Sequence, residues 1–483
     1  MISTVTKFVT NIGYNIIADL STKLSNSLVI LLLSYYLGVA DMGSYSLAHT
    51  FFTFGLLFSY WGFGNLLTRE IARDRNSYSK YLSNFSILRL IFAVIILAII
   101  NSIVPYLGYV EQTQQAIRII SIGIIANTII NLIYALFIAF EELKYLSMIS
   151  ITVGVLRVIG CFVILHLGGS VVKVVVFSTL MEFVSLAVSL LFVSRIIKSF
   201  YINFDIKFSF QQIIKAFPFF WIAVLVILDS QVEILVISII LNESFVGFYT
   251  AMNTIMGGLA LFSEGVRNAV FPIFARYQIN SPEKLKKMIL ILVKYISLIT
   301  FPIAISVFFL AEEIILLLFG SGYEISGTLL KIIVWSFIGH TLKVVYIRLL
   351  MVHDKEKLLA LSLLVSAMLT LVFNILLVPI LGLVGVAIIR LVTTYILLFL
   401  CMYFVSRQRY RIIEPFDLFR ISVASIILFL SVFLLHSLLP YFGILIGLIL
   451  YVCAVWFSRV IDRSDIKLWN DVFHGLIHRS AID

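Results

Sequence analysis

Charge is scarce in this chain. Of its 483 residues 12% are Asp, Glu, Lys or Arg, against about 25% in an ordinary soluble domain. With 61% hydrophobic residues and a mean hydropathy of +1.11, no globular packing of this length could hide the apolar surface, so lipid must be the solvent. Cysteine is nearly missing too. Cys161, Cys401 and Cys453 fall in separate apolar runs, which excludes a disulfide framework and suggests no metal site. No cleavage-site pattern follows the first apolar run, which is too long for a signal peptide, so that helix is expected to be kept. A P-loop is also lacking, so the chain is not expected to hydrolyse ATP.

What is present is a series of long apolar runs. Fourteen segments between residues 10 and 460 reach the span length, among them 45–68, 358–378 and 384–406, with the longest outer connection over 310–326, and a helix needs about 20 apolar residues to cross a bilayer. Lipid offers backbone groups no hydrogen-bond partner, so these spans are helices and the expected class is an all-α polytopic membrane protein. Alternate loops collect the basic residues, among them Arg69, Arg73, Lys80, Lys144, Arg195, Lys198, Arg276, Lys286, Lys355 and Arg407. The intervening loops hold at most Lys173 and carry Asp41, Glu111, Glu243, Glu312 and Glu324. This positive-inside pattern places both termini in the cytosol at the cell membrane. It also accounts for the net charge of +10 without a nucleic-acid partner.

The first span carries an unusual polar line. Asn11, Asn15, Asp19 and Lys23 recur every fourth residue, continued by Asn26 and Ser27. A buried charge costs about 2.5–3.5 kcal/mol at a bilayer centre, so Lys23 and Asn26 are expected to face an internal polar cavity. Asn11 and Asn15 suit either that cavity or the headgroup zone.

The halves repeat. Gly43-Ser44-Tyr45 is echoed by Gly247-Phe248-Tyr249, Ala72-Arg73 by Ala275-Arg276, Leu167-Gly168 by Leu381-Gly382, and Phe192-Val193-Ser194-Arg195 by Phe404-Val405-Ser406-Arg407. The order is kept at offsets of about 204 to 213 residues. An even number of spans per repeat makes it a parallel, pseudo-twofold one about an axis along the membrane normal. The expected organisation is a six-helix bundle over 1–194, a partly amphipathic connector over 195–216 and a second six-helix bundle over 217–407. Two additional helices over 408–460 and a cytoplasmic tail over 461–483 complete it.

The stretches Tyr36-Leu37-Gly38-Val39-Ala40-Asp41-Met42-Gly43-Ser44-Tyr45, Leu67-Thr68-Arg69-Glu70-Ile71-Ala72-Arg73, Leu318-Phe319-Gly320-Ser321-Gly322-Tyr323 and Asn374-Ile375-Leu376-Leu377-Val378-Pro379 carry a family resemblance. The chain resembles the Wzx-type polysaccharide flippases of the multidrug/oligosaccharidyl-lipid/polysaccharide (MOP) exporter superfamily, and its span count also resembles the lipid II flippase branch. The resemblance implies two bundles around a cavity that opens alternately to either side. The implied cargo is a polyprenyl-diphosphate-linked oligosaccharide for O-antigen- or capsule-type surface polysaccharide, with glycan assembly proteins as neighbours. The chain is expected to act as a monomer without a cofactor.

Such a cargo needs cations for its diphosphate and amide or hydroxyl partners for its sugar. Intramembrane cations are Lys23, Arg118, Arg157, Arg267, Lys294, Lys331, Lys343, Arg348 and Arg390. Lys23, Asn26, Arg157 and Arg267 are the candidate substrate-binding residues, Lys23 and Arg267 because their spans border the cavity in the resembled fold. Arg118, Lys294, Lys331, Arg348 and Arg390 lie near span ends, where snorkelling to the headgroups accounts for them. Asp229 and Glu233 are four residues apart on one span face. Two carboxylates in low dielectric resist joint ionisation, as a coupling site for H+ or Na+ requires, although pairing with cations would explain them equally. Asp19 and Glu264 are further coupling candidates, or intrahelical partners of Lys23 and Arg267. Tyr60 and Trp61 suit an interfacial belt better than a sugar platform.

Two other functions compete. A cation-coupled drug exporter of the same superfamily would want a cavity rich in acids and aromatics, with few cations. A membrane-embedded glycan polymerase or ligase would need a sizeable outer loop with catalytic or Arg residues, which these loops lack.

Overall fold

The computed structural model describes residues 2–197, 201–407, 414–436 and 440–461. The expected tail from 462 onward, and the loop carrying Arg409 and Arg411, lie outside these residues. Every regular element among the described residues is helical. Among the described residues eleven helices are long and apolar enough to cross a membrane, so the chain is a multi-pass membrane protein. It divides into two compact units, Met1–Thr250 and Ala251–Asp483.

The first unit holds α1 (Ile2–Tyr36), α2 (Val39–Tyr60), α3 (Phe63–Arg73), α4 (Tyr78–Ile103), α5 (Glu111–Ala139), α6 (Leu143–His166), α7 (Val171–Val193) and α8 (Ile206–Ile240), and the first residues of α9 (Glu243–Asn280). Side-chain bonds fix the directions of its helices. Along α1 and α6, Asn11 donates to Glu141 O, Ser21 to Ser150 O and Ser25 to Gly154 O, at 3.0–3.2 Å. Both numbers rise together, so these helices run parallel. Hydroxyl pairs do the same for α2 and α5, with Ser44 on Thr113 at 2.8 Å and Ser59 on Thr128 at 2.7 Å. Small side chains let the backbones close in, and buried hydroxyls then find partners that lipid cannot supply.

The run expected as one span over 45–68 is broken. Trp61 (φ 44°) and Gly62 (φ 74°) are both left-handed, and a Cβ on Gly62 would meet Ala216 O and the Phe219 side chain. Glycine is required there. The Trp61 ring stacks on Phe220 with centroids 4.2 Å apart, which holds the break against α8.

The expected connector over 195–216 is in part the opening of α8. Before it, residues 201–205 run without helix and rely on α4 for hydrogen bonds. Tyr201 N donates to Ser79 Oγ at 3.1 Å, Asn203 N to Ser83 Oγ at 2.9 Å, and Asp205 N to Asn84 Oδ1 at 2.8 Å. Three helix side chains thus do the work of a neighbouring strand. Asp205 Oδ1 then accepts from Phe208 N at 3.0 Å and caps α8.

At the start of α2 and of α9 two glycines meet reciprocally. A Cβ on Gly43 would strike Glu243 O, and one on Gly247 would strike Val39 O. Each glycine therefore rests on the carbonyl four residues before the other.

The second unit holds the rest of α9, then α10 (Pro282–Phe309), α11 (Ala311–Phe319), α12 (Glu324–Ile333), α13 (Trp335–Val352), α14 (Glu356–Ser406), α15 (Pro415–His436) and α16 (Pro440–Phe457). The stretch expected as a plain outer connection over 310–326 contains the short helix α11. The spans expected over 358–378 and 384–406 are two helices, together labelled α14, divided by a kink at Gly382 (φ 58°, ψ −145°). The core is apolar: Phe274, Met288, Tyr346, Leu349 and Leu397 pack between α9, α10, α13 and α14. A second cluster joins α10 to α15 and α16 through Leu298, Ile305, Leu428 and Val432.

Candidate functional site

The polar line of α1 leads to the site. At 3.6 residues per turn, a four-residue step drifts about 40°, so Asn15, Asp19 and Asn26 stay near one face while Lys23 turns about 80° from Asn15. The first three line the interior of the first unit. Lys23 is half-buried beside that stripe and lines neither of the two cavities there.

One cavity, of about 240 Å³, lies between α1, α2, α5, α6 and α7. The other, of about 300 Å³, continues along α1 toward α3, and the two share Thr22, Asn131, Tyr134 and Ser150. At the centre of the first, Arg157 Nη2 of α6 pairs with Glu182 Oε1 of α7 at 2.6 Å, with side chains 13% and 16% exposed. Asn26 Oδ1 accepts from Arg157 Nη1 at 3.3 Å, and Asn127 Nδ2 donates to Glu182 Oε2 at 2.9 Å. Both carboxylate oxygens are thus engaged, and four helices meet at one charge pair. Asn131 Nδ2 donates to Asn127 O at 3.0 Å and to Asn127 Oδ1, placing a second amide one turn along α5. His49, Tyr134 and Ser185 complete the wall.

Several of these residues carried no weight in the sequence. Glu182 is a lone acid in an apolar run with nothing local to single it out, yet it neutralises Arg157, whose charge is committed before any ligand arrives. Asn127, Asn131 and His49 drew no attention because single polar residues in apolar helices are common; only the fold brings those of α5 and α2 together. Tyr60, read as a belt residue, lines the larger cavity. Arg89 was missed as an intramembrane cation, although it sits inside an apolar run. It is fully buried, its Nε donates to Ser59 O at 3.2 Å, and its guanidinium lies 5.3 Å from the Tyr60 ring centre. There it satisfies the carbonyl end of α2, where a cation is favourable.

The acids on α8 lie elsewhere in the first unit. Glu233 is buried, and its Oε2 accepts from Tyr249 OH at 2.6 Å. Gln231, between it and the half-buried Asp229, accepts from Thr50 Oγ1 at 3.3 Å.

In the second unit, Arg267 and Glu264 are half-buried on α9. Arg267 is close enough to Arg348 of α13 for their charges to interact, and Arg348 lies over the Phe271 ring at 5.2 Å. The Nε atoms of both arginines are buried with no hydrogen-bond partner among the described residues. Arg348 is therefore part of a cationic pair and does not simply snorkel. Lys294 does not snorkel either: it is 6% exposed and pairs with Asp417 of α15 at 3.6 Å. Lys331 pairs with Glu312 at 2.6 Å. Among the described residues no group of His, Cys, Asp and Glu is arranged to hold a metal.

Known proteins share this architecture. The fold is similar to a lipid II flippase MurJ in an inward closed conformation, with a TM-score of 0.76 and 17% identity over 93% of this chain and 99% of that one. It is also similar to an inward-facing multidrug resistance MATE family transporter of the MOP superfamily, with a TM-score of 0.61 and 15% identity over 80% of this chain and 94% of the other. At these identities the likeness is one of fold. In sequence, a probable low-salt glycan biosynthesis flippase, Agl15, of Haloferax volcanii is 26% identical over 160 residues. That match spans 33% of this chain and 34% of the relative. A family model described as polysaccharide biosynthesis protein matches residues 32–327, more than half of the chain, which therefore belongs to the polysaccharide biosynthesis protein family and has a MOP-type fold.

Proposed function

We propose that the chain is a flippase that carries a polyprenyl-diphosphate-linked oligosaccharide from the cytoplasmic to the outer leaflet of the cell membrane. It does so by alternating access and serves surface polysaccharide assembly. The observation that carries this reading is the match to the polysaccharide biosynthesis family over residues 32–327, on a fold shared with a lipid II flippase. The polar interior of the first unit and the Arg267–Arg348 pair of the second support it, because a glycan diphosphate needs both kinds of surface. Fourteen crossings follow if α14 counts as two at Gly382 and α2 and α16 are added. The reciprocal Gly43 and Gly247 contacts support the pseudo-twofold repeat.

Lys23 and Arg267, with Arg348, are assigned to the diphosphate, and Asn26 and Arg157 to the sugar side. Asp229, Glu233, Asp19 and Glu264 are the places for H+ or Na+ coupling. Membrane potential could also bias the cycle, since moving one negative charge outward gains about 2.3 kcal/mol per 100 mV. The test is reconstitution of the full chain into vesicles with a fluorescent polyprenyl-diphosphate saccharide, read by an impermeant quencher. Wild-type protein should bring the hidden leaflet's lipid within reach, and Arg267→Ala should not. Transfer no faster than in protein-free vesicles would overturn the reading.

A further inference from the structure

We infer that the opening of α8 is a docking face for anionic phospholipid, with its apolar side among the acyl chains and its lysines among the phosphate headgroups. Its role is to hold the start of the helix in the plane of the membrane interface, and it is independent of the flippase reading.

Length is the first ground. α8 has 35 residues, about 15 more than a crossing needs. The excess falls at its start, where its two lysines, Lys207 and Lys215, lie. The strap before it is tied to Ser79, Ser83 and Asn84 in the first turns of α4. The start of α8 is therefore held beside the point where another crossing helix begins.

The pattern of its side chains is the second. Ile206, Phe210, Ile214 and Phe217 are 72, 64, 61 and 50% exposed, and at 3.6 residues per turn they fall within an arc of about 80°. Lys207, Gln211 and Lys215, all exposed, fill the next arc of about 80°. Buried Ser209, Gln212 and Ala216 occupy the side turned to the protein. An exposed apolar arc bordered by a cationic one is the form of a helix lying in a bilayer interface. Standing clear in water, the apolar arc would be left exposed at a cost.

Charge is the third. Lys80 of α4 lies over the Phe208 ring at 4.3 Å and Arg69 of α3 over the Phe219 ring at 5.6 Å, which brings two more cations to the edge of the lysine arc. Of the acids at this end, Glu70 is taken by Arg69 at 2.8 Å, Asp74 Oδ1 accepts from Asn76 N at 3.0 Å, and Asp205 Oδ1 caps α8. Lys207 and Lys215 pair with no acid among the described residues. A basic face of this kind is complementary to an anionic membrane surface. Eight residues set the two lysines about 12 Å apart along the axis, a spacing that suits separate monophosphate headgroups better than the single diphosphate of a lipid-linked glycan.

The experiment attaches bimane at Gln211→Cys, between the lysines, in a Cys453→Ser background, because Cys453 is an exposed cysteine. The labelled full chain is reconstituted into phosphatidylcholine vesicles containing either doxyl-labelled phosphatidylglycerol or doxyl-labelled phosphatidylcholine, whose nitroxides quench bimane on contact. With both lysines present, half-quenching should need at least about fivefold less of the phosphatidylglycerol, the value of one basic residue near an anionic surface. Lys207→Gln with Lys215→Gln should bring the two curves together. Lys207→Arg with Lys215→Arg keeps the charge and should hold them apart. Equal quenching by the two lipids before any lysine is changed, no quenching by either, a preference untouched in the glutamine pair, or one lost in the arginine pair would overturn the docking face. Displacement of the labelled phosphatidylglycerol by undecaprenyl diphosphate equimolar with the protein would make the lipid-linked cargo the occupant, and would overturn it as well.

Discussion

Arg157 in the first unit and the Arg267–Arg348 pair in the second are arranged in opposite ways. In the first, Arg157 meets a carboxylate at 2.6 Å and two asparagines, within an interior rich in amides and hydroxyls. In the second, Arg267 and Arg348 are close enough for their charges to interact, and Arg348 lies over the Phe271 ring, next to an apolar core. A paired charge in low dielectric is a structural tie whose loss is costly, whereas a like-charged pair is a local strain kept for a purpose. The difference separates a cation held by a carboxylate from two cations held near each other. It also makes predictions that could dissolve it.

Glu182→Ala should have the largest effect. It strands Arg157, and removing one partner of a buried pair costs about 3–5 kcal/mol. Thermal unfolding in detergent should show a large loss, while Arg157→Met with Glu182→Met should recover most of it, as buried pairs replaced by apolar groups often do. If Glu182→Ala melts like wild type, the pair is not the tie described here.

Gly43→Ala comes next. Its new methyl has nowhere to go except into the Glu243 carbonyl, and overpacking of this kind costs about 1–3 kcal/mol. Gly247→Ala should match it, because its methyl meets Val39 O in the same way. Unequal melting shifts in the two variants would mean that the contact is not reciprocal in energy.

A smaller effect is expected in the second unit. Tyr451 OH donates to Leu298 O at 2.9 Å across α16 and α10. Tyr451→Phe should cost about 1 kcal/mol, the net value of one hydrogen bond, measured as a modest shift in the same melting assay. A loss as large as that of Glu182→Ala would erase the contrast between the units.

Much of this was legible in the sequence. Hydropathy alone gives long helices, because lipid leaves backbone groups no other solution, whereas the contact between Gly43 and Gly247 appears only in the fold. The site was half legible. Asn26 and Arg157 were picked out, and they do meet, but the partner that defines them, Glu182, lies 25 residues beyond Arg157 on another helix. Nothing local announces such a pairing. Periodicity misled at Lys23, since spacing of four drifts off a face within two steps. The break at Trp61-Gly62 was illegible for another reason. Apolar run length measures bilayer crossing and says nothing of backbone handedness at a single residue.

The smallest effect on stability belongs to Arg267→Ala, and it tests the comparison most sharply. Arg267 has a like charge for its neighbour, and its Nε bonds to nothing among the described residues. Deleting it removes repulsion from Arg348 and breaks no hydrogen bond at that atom. Melting should shift within about 0.5 kcal/mol of wild type, as for substitutions away from structural ties. Binding of undecaprenyl diphosphate should nevertheless fall at least about tenfold, since a charge-assisted bond to phosphate is worth more than a neutral one. Arg348→Ala should behave alike. Glu182→Ala would show the reverse order, with stability lost first. Were Arg267→Ala to unfold the chain while leaving anion binding intact, the second unit's arginines would be ties as well, and the distinction between the units would fall.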